Sequence, residues 1–237
     1  MKNIHKICWA LLLCYGIVSC KKPIDIEPTH SADGETIFKN ISDYEAALIA
    51  AYSRLLSVNY YGSTNSSNAF VTLSDMMTDN LYETGESLGN YTNFSRWTYT
   101  ADDGNIEATW PAAYAVIQQC NLTLRGIDKF AATDPGAVNR IKAQAIALRA
   151  YVHFDILRYW GEGTDRNSAL RGIPFVGTFD IEKKPSRPTV QQTYDSIIKD
   201  LGDAKALMQD MDDDIQSPTS TAASARAYID EIGVNAI

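Results

Sequence analysis

Histidine, cysteine and positive charge are the scarce commodities of this 237-residue chain, and each shortage closes a class of chemistry. Three histidines, His5, His30 and His153, cannot assemble a zinc site or a histidine-activated nucleophile. Of the four cysteines, Cys8 and Cys14 lie in an apolar leader, Cys20 ends it, and Cys120 alone remains in the body, so no disulfide framework is available. Among Ile117, Leu122 and Leu124, the Cys120 thiol reads as a packing group. Lys and Arg number 21 against 29 Asp and Glu, a formal net charge of −8, which disfavours nucleic acid, whose phosphates need a basic patch. The glycine pair Gly161 and Gly163 lacks the length and the preceding strand of a phosphate loop. Asp102 and Asp103, or Asp212 to Asp214, could be offered as the paired carboxylates of a glycoside hydrolase, but adjacent acids beside a turn read as solvated caps. The Asp212 group also lacks the glycine and terminal Glu of a calcium loop. No enzyme, metal or cofactor is expected.

Long apolar runs are missing too. Ile7 to Val18, broken by Gly16 and preceded by Lys2 and Lys6, falls well short of the roughly 20 residues of a membrane span and has the layout of a secretory signal. It ends Ile17-Val18-Ser19-Cys20, which resembles the bacterial lipoprotein box, in which the cysteine becomes the lipid-bearing first residue. Residues 1–19 are therefore read as a lipoprotein signal peptide, Cys20 as the lipidated residue, 20–36 as a tether and 37–237 as the folded body. The alternative is an ordinary signal cut at a nearby small residue. A lipid anchor attaches a protein to a membrane surface without spanning it.

What the body has in quantity is helical periodicity. From Ala143 to Gly163 two apolar stripes recur at helical spacing: Ile141, Ala145, Leu148, Val152, Ile156 and Tyr159, and Ala143, Ala147, Ala150, Phe154 and Leu157. They occupy nearly opposite faces, so this helix should be packed on both sides, as inside a helical array. Asp134 caps it and Pro135 takes its first position. Ser42 with Glu45 reads as a capping box for an earlier helix bearing Tyr44, Leu48, Ala51, Tyr52 and Leu55. Asn105 is the expected cap of a helix bearing Ile106, Trp110, Ala113, Tyr114 and Ile117, with Pro111 near its start. Thr189 with Gln192 makes a capping box for a fourth helix through Leu207, and Thr219 or Thr221 starts a fifth. Arg149 and Arg158 should bridge to neighbouring helices. Paired starts near 105 and 135, then 190 and 220, are compatible with a tetratricopeptide-sized repeat.

Three segments interrupt the helices. Asn59 to Asp103 is a long polar stretch carrying many aromatics, which argues for an ordered functional insertion, because disordered segments are poor in aromatic residues. Gly161 to Pro188 should run over the surface, and Asp210 to Pro218 is a charged turn.

The run from Ala143 to Phe175 resembles the LRA-x-x-x-F-x-L-x-x-x-x-G…IP signature of the SusD/RagB family, lipid-anchored nutrient-capture proteins. SDMMTDN at Ser74 to Asn80, WPAAYAVIQQCNLTLRGI at Trp110 to Ile127 and SRPTVQQTYDSIIKDLGDAKALM at Ser186 to Met208 line up in the order of that family's N-terminal half. The resemblance implies a mainly α, tetratricopeptide-like helical array with long ligand-binding loops. It also implies a place on the outer face of the outer membrane, held there by the N-terminal lipid. The implied partner is a SusC-like TonB-dependent transporter, to which oligosaccharides, or in some members peptides, are passed without catalysis. The family usually continues well past the length seen here, so the ending at Ile237 reads as a fragment, a frame-disrupted product or a reduced member.

A glycan site needs aromatic rings to stack on sugar C–H faces and small polar groups to orient hydroxyls. Tyr60, Tyr61, Tyr82, Tyr91 and Trp97, with Asp75, Asp79, Asn80 and Asn90, supply that mixture and are the expected ligand-binding residues. The competing reading is that these rings pin the loop to the helices. A second function stands beside glycan capture: a helical-repeat lipoprotein whose loop aromatics contact peptide or protein, or a truncated chain without function.

Overall fold

In the computed structural model, which describes residues 37–62, 69–180, 182–208 and 228–237, all regular structure is helical apart from one isolated antiparallel bridge between Arg171 and Thr189. The elements are α1 (Ile41–Leu55), α2 (Ala69–Met76), α3 (Thr92–Ser95), α4 (Gly104–Leu124), a 3₁₀ turn (Ile127–Phe130), α5 (Pro135–Trp160), α6 (Val190–Met208) and α7 (Glu231–Ala236). The leader, Cys20, the tether, the Asp210 to Pro218 turn and the helix start at Thr219 or Thr221 lie outside the described residues. No helix among the described residues is long and apolar enough to cross a membrane.

Contacts between side chains set the directions of the helices. Trp110 meets Trp160, Tyr114 meets His153 and Asn121 meets Arg149, so α4 and α5 run antiparallel. Phe154 against Tyr194 and Arg149 against Asp200 make α5 and α6 antiparallel as well. Pairs Glu45–Arg140 and Tyr60–Asp155 show α1 parallel to α5. The result is a tetratricopeptide-like array with α5 inside it. Ile141, Leu148, Val152 and Ile156 bury themselves in the main core with α1 and α4, while Ala143, Ile146 and Ala147 form a second cluster with Ala204, Met208 and Val234. Burial on both faces follows from the two stripes, and small alanines let α6 approach closely.

Local chemistry explains the helix ends and corrects two expectations. Asn40, not Ser42, caps α1: Asp43 donates its amide to Asn40 Oδ1 at 3.1 Å, and Asp43 Oδ2 accepts the Asn40 amide at 3.0 Å. Ser42 already lies inside the helix, and Glu45 is left to pair with Arg140 at 2.5 Å. Likewise Asp103, not Asn105, caps α4, accepting the Asn105 amide at 3.0 Å. Pro111 therefore sits eighth in α4 and deprives the Glu107 carbonyl of its usual amide donor. Asp134 caps α5 through the Ala137 amide, with Pro135 first in the helix, and Thr189 and Gln192 exchange the two bonds of a capping box at 3.1 and 3.0 Å. Between α4 and α5 the chain reverses at Gly126, whose φ of +74° is the left-handed region glycine enters at little cost.

Asn59 to Asp103 is not without regular structure: it holds α2 and α3, joined by a satellite core of Leu73, Met76 and Phe94. Gly161 to Pro188 does not stay on the surface. Ile173 is fully buried and Val176 nearly so, making the IPFV step a strap pressed into the array.

Candidate functional site

The strap is held by polar residues that helical periodicity alone does not explain. His153, buried on α5, accepts the Val176 amide at Nε2 (3.1 Å), which leaves Nδ1 to donate to the Arg149 carbonyl (2.8 Å). Burial pushes the imidazole down to about 3, so it is a neutral clamp. Arg149 makes a two-bond pair with Asp200 of α6 (2.7 and 2.8 Å) and donates to Asn121 Oδ1 and the Gly177 carbonyl. Asn121 passes that connection on, donating to the Val176 carbonyl at 2.9 Å. Tyr114 donates to the Pro174 carbonyl at 2.6 Å, and Arg187 to those of Gly172 and Trp160. Signature residues on α4, α5 and α6 thus converge on one strap. Arg149 bridges helices as expected; Arg158 does not, because it pairs with Asp155 one turn back on its own helix.

Asp155, with no exposed surface, is the second buried charge. Tyr60 and Tyr61 donate to its Oδ2 at 2.8 and 2.5 Å, Tyr151 lies 2.6 Å from the Tyr61 hydroxyl, and Arg158 pairs with Oδ1. Burial first, with the Asp155 carboxylate added, raises both donating phenols and keeps them protonated. Tyr60 has no exposed surface, so a ligand cannot reach it; Tyr61 is half-buried in the same cluster. Both belong to the joint between the end of α1 and α5.

The remaining expected residues lie on the insertion. Asn80 donates to Asp75 Oδ1 at 3.1 Å and the Leu81 amide reaches the Asp75 carbonyl, so Asp75 organises the turn after α2, with Asp79 exposed beside it. Glu83, which sequence reasoning did not single out, gathers the loop: it accepts the Thr92 hydroxyl (2.5 Å), the Tyr91 amide (2.9 Å) and the Ser87 hydroxyl (3.1 Å). Those bonds, the Thr92 hydroxyl foremost, hold its carboxyl below the usual carboxylate range. Tyr91 packs on the satellite core, Asn90 is exposed, and Tyr82 is 82% exposed.

Trp97 is the exceptional residue here. It is 66% exposed and carries φ of +57°, a strained backbone for a bulky side chain. Such strain costs about 1–2 kcal/mol and clusters at functional positions. Its ring lies 6.4 Å from that of Tyr99, which stacks on Phe94 at 5.3 Å. Tyr99, Tyr159, Trp160 and Phe94 wall a cleft of about 290 Å³ where the insertion meets the start of α4 and the end of α5. The expected residues are therefore not one cluster: Trp97 stands at this cleft through Tyr99, Ser74 brings the Asp75 turn to its edge, and Tyr60 and Tyr61 are elsewhere. Tyr159 and Trp160 were missed because they sit at the end of a long helix, and only folding brings the insertion to them.

Comparison with known proteins decides the family. Residues 25–229 match the SusD-like family model described as starch-binding associating with outer membrane. The chain belongs to the SusD-like family. It is 25% identical to SusD-like protein P2 of Formosa agariphila over 93% of its own length and 41% of that protein's. A SusD superfamily protein from Bacteroides thetaiotaomicron superposes with a TM-score of 0.63 at 23% identity, covering 83% of this chain and 41% of that one. A SusD-like carbohydrate binding protein from Bacteroides vulgatus gives 0.65 at 24%, covering 82% and 39%. This SusD-like chain thus spans about two fifths of the length of its matched relatives. Within the SusD-like fold, the strap and its polar clamps are scaffold, and the insertion cleft is the candidate site.

Proposed function

We propose that this SusD-like chain binds oligosaccharide at the insertion cleft, on the outer face of the outer membrane, and passes it without catalysis to a SusC-like TonB-dependent transporter. Lipid on Cys20 is the proposed anchor. The observation that carries the reading is the strained, exposed Trp97 beside Tyr99, whose ring walls the cleft together with Tyr159 and Trp160. Flat rings grip sugar C–H faces, and the exposed Asp79, Asn80, Tyr82 and Asn90 nearby in sequence are suited to hydroxyls. The family's description as starch-binding supports the ligand class.

Trp97→Gly separates binding from folding. Glycine accepts the positive φ, so stability should stay within about 1 kcal/mol of the parent, while affinity for the bound glycan falls at least tenfold. Affinity gels loaded with starch and other plant and algal polysaccharides, followed by calorimetry on the retained glycan, measure this. Unchanged affinity in Trp97→Gly and in Tyr99→Ala would remove the cleft from the binding site.

A further inference from the structure

Trp97 owes its left-handed backbone to the single helical turn that precedes it. Helix α3 has four residues, and a lone turn does not repay the cost of its own nucleation. It ends in a Schellman closure. The Trp97 amide donates to the Phe94 carbonyl at 3.1 Å, and the Thr98 amide reaches back to the Asn93 carbonyl at 2.8 Å. Trp97 thus fills the left-handed position that this motif ordinarily gives to glycine. Contacts from outside the turn keep it closed. Phe94 is buried in the satellite core and stacks on Tyr99. At the other end, Glu83 accepts the Thr92 hydroxyl at Oε2 (2.5 Å) and the Tyr91 amide at Oε1 (2.9 Å). The Tyr91 carbonyl in turn accepts the Phe94 and Ser95 amides at 3.0 Å each. Ser87, whose hydroxyl also donates to Glu83, accepts the Gly89 amide at 3.1 Å, so the loop and the turn close on one carboxylate.

We propose that Glu83 is a positioning residue of the insertion cleft: its carboxylate holds α3 closed at its start and thereby keeps Trp97 in the left-handed conformation that sets its ring beside Tyr99. Glu83 acts through the turn, because its hydrogen bonds go to Ser87, Tyr91 and Thr92 and none goes to Trp97. Bonds to a carboxylate are stronger than neutral ones, which suits a clamp on a turn too short to hold itself. Once the turn opens, a bulky residue has no reason to stay at positive φ and returns to the extended or right-handed region. The effect on ligand binding rests on the reading of this cleft as a glycan site; the placement of Trp97 does not.

The four tryptophans of the full chain, Trp9, Trp97, Trp110 and Trp160, give four indole N–H signals in a nitrogen–proton correlation spectrum, and the one missing in Trp97→Gly belongs to Trp97. In Glu83→Ala that signal should move, and the Trp97 and Thr98 amides should exchange roughly tenfold faster while Leu73 and Met76 in α2 keep their protection. Glu83→Gln retains the side-chain length and one oxygen for the Tyr91 amide, so it should recover part of both. Glycan affinity should fall about tenfold in Glu83→Ala, the loss expected of one bond to a charged group. The same substitution made in Trp97→Gly should cost less than about twofold, because glycine needs no support at the left-handed position. The proposal is overturned if Glu83→Ala leaves the Trp97 signal and the Thr98 exchange as in the parent. It is also overturned if protection is lost evenly across 69–103, or if Glu83→Ala lowers affinity as much in Trp97→Gly as in the parent. Unchanged glycan affinity in both Trp97→Gly and Tyr99→Ala is failure of the glycan reading alone, and the Trp97 signal then still decides the role of Glu83.

Discussion

Among the described residues, the buried charges of Arg149, Asp155 and Asp200 have every polar atom occupied. Asp200 and Arg149 are each about nine-tenths buried, and removing one partner of such a pair costs about 3–5 kcal/mol, since the other is left as an uncompensated charge. His153 avoids the problem by remaining neutral. Its basicity is depressed to about 3 in the fold against about 6.5 in an unfolded chain, so the unfolded state binds the extra proton first. Stability is complete above pH 6.5 and is lost as pH falls toward 3, by up to roughly 5 kcal/mol from this group. His153→Gln keeps an acceptor for the Val176 amide and cannot titrate in this window. Urea midpoints measured from about pH 7 to about pH 4 should therefore fall less steeply for His153→Gln than for the parent; equal slopes would mean that other groups set the acid limit.

At the scale of elements, the strap shows how a loop becomes core. Ile173 and Val176 bury apolar surface worth about 1.5–3 kcal/mol each, but the backbone that carries them needs partners, and Tyr114, Asn121, Arg149 and His153 provide them. Close approach is the second requirement. A Cβ on Gly172 would sit 2.3 Å from Thr193 Oγ1 and 2.9 Å from the Thr189 carbonyl, so only glycine lets the strap meet the start of α6. Gly172→Ala should cost about 1–3 kcal/mol in chemical denaturation and raise amide exchange selectively in 172–178. Uniform exchange across α5 and α6 would instead place the strap in the same cooperative unit as the helices.

The whole molecule divides its labour between a polar-clamped array and an insertion with its own small core. Leu73, Met76 and Phe94 are a cluster apart from the two that surround α5. Phe94→Ala deletes the ring under Tyr99, with a local cost of about 3–5 kcal/mol. Hydrogen exchange should then increase in 69–103 while α5 keeps its protection, and glycan affinity should fall with the insertion. Loss of protection throughout the chain would show that the insertion is part of the array's stability.

Helix existence was legible because periodicity and caps are local. Two apolar stripes on Ala143 to Gly163 required burial on both faces, and Asp134, Pro135, Thr189 and Gln192 are where their chemistry predicted. Cap choice was less so: Asn40 and Asp103 compete with Ser42 and Asn105 for the same role, and the winner depends on where the first turn closes. The ordered motifs also point to the family, because their sequence order does not depend on the packing of the helices. What sequence could not assign was the partner of each polar or aromatic residue. Tyr60, Tyr61, Tyr82 and Trp97 read alike along the chain, yet two serve a buried carboxylate and two face solvent. That division is tertiary, because Asp155 lies 95 residues from Tyr60 and only the parallel packing of α1 on α5 brings them together.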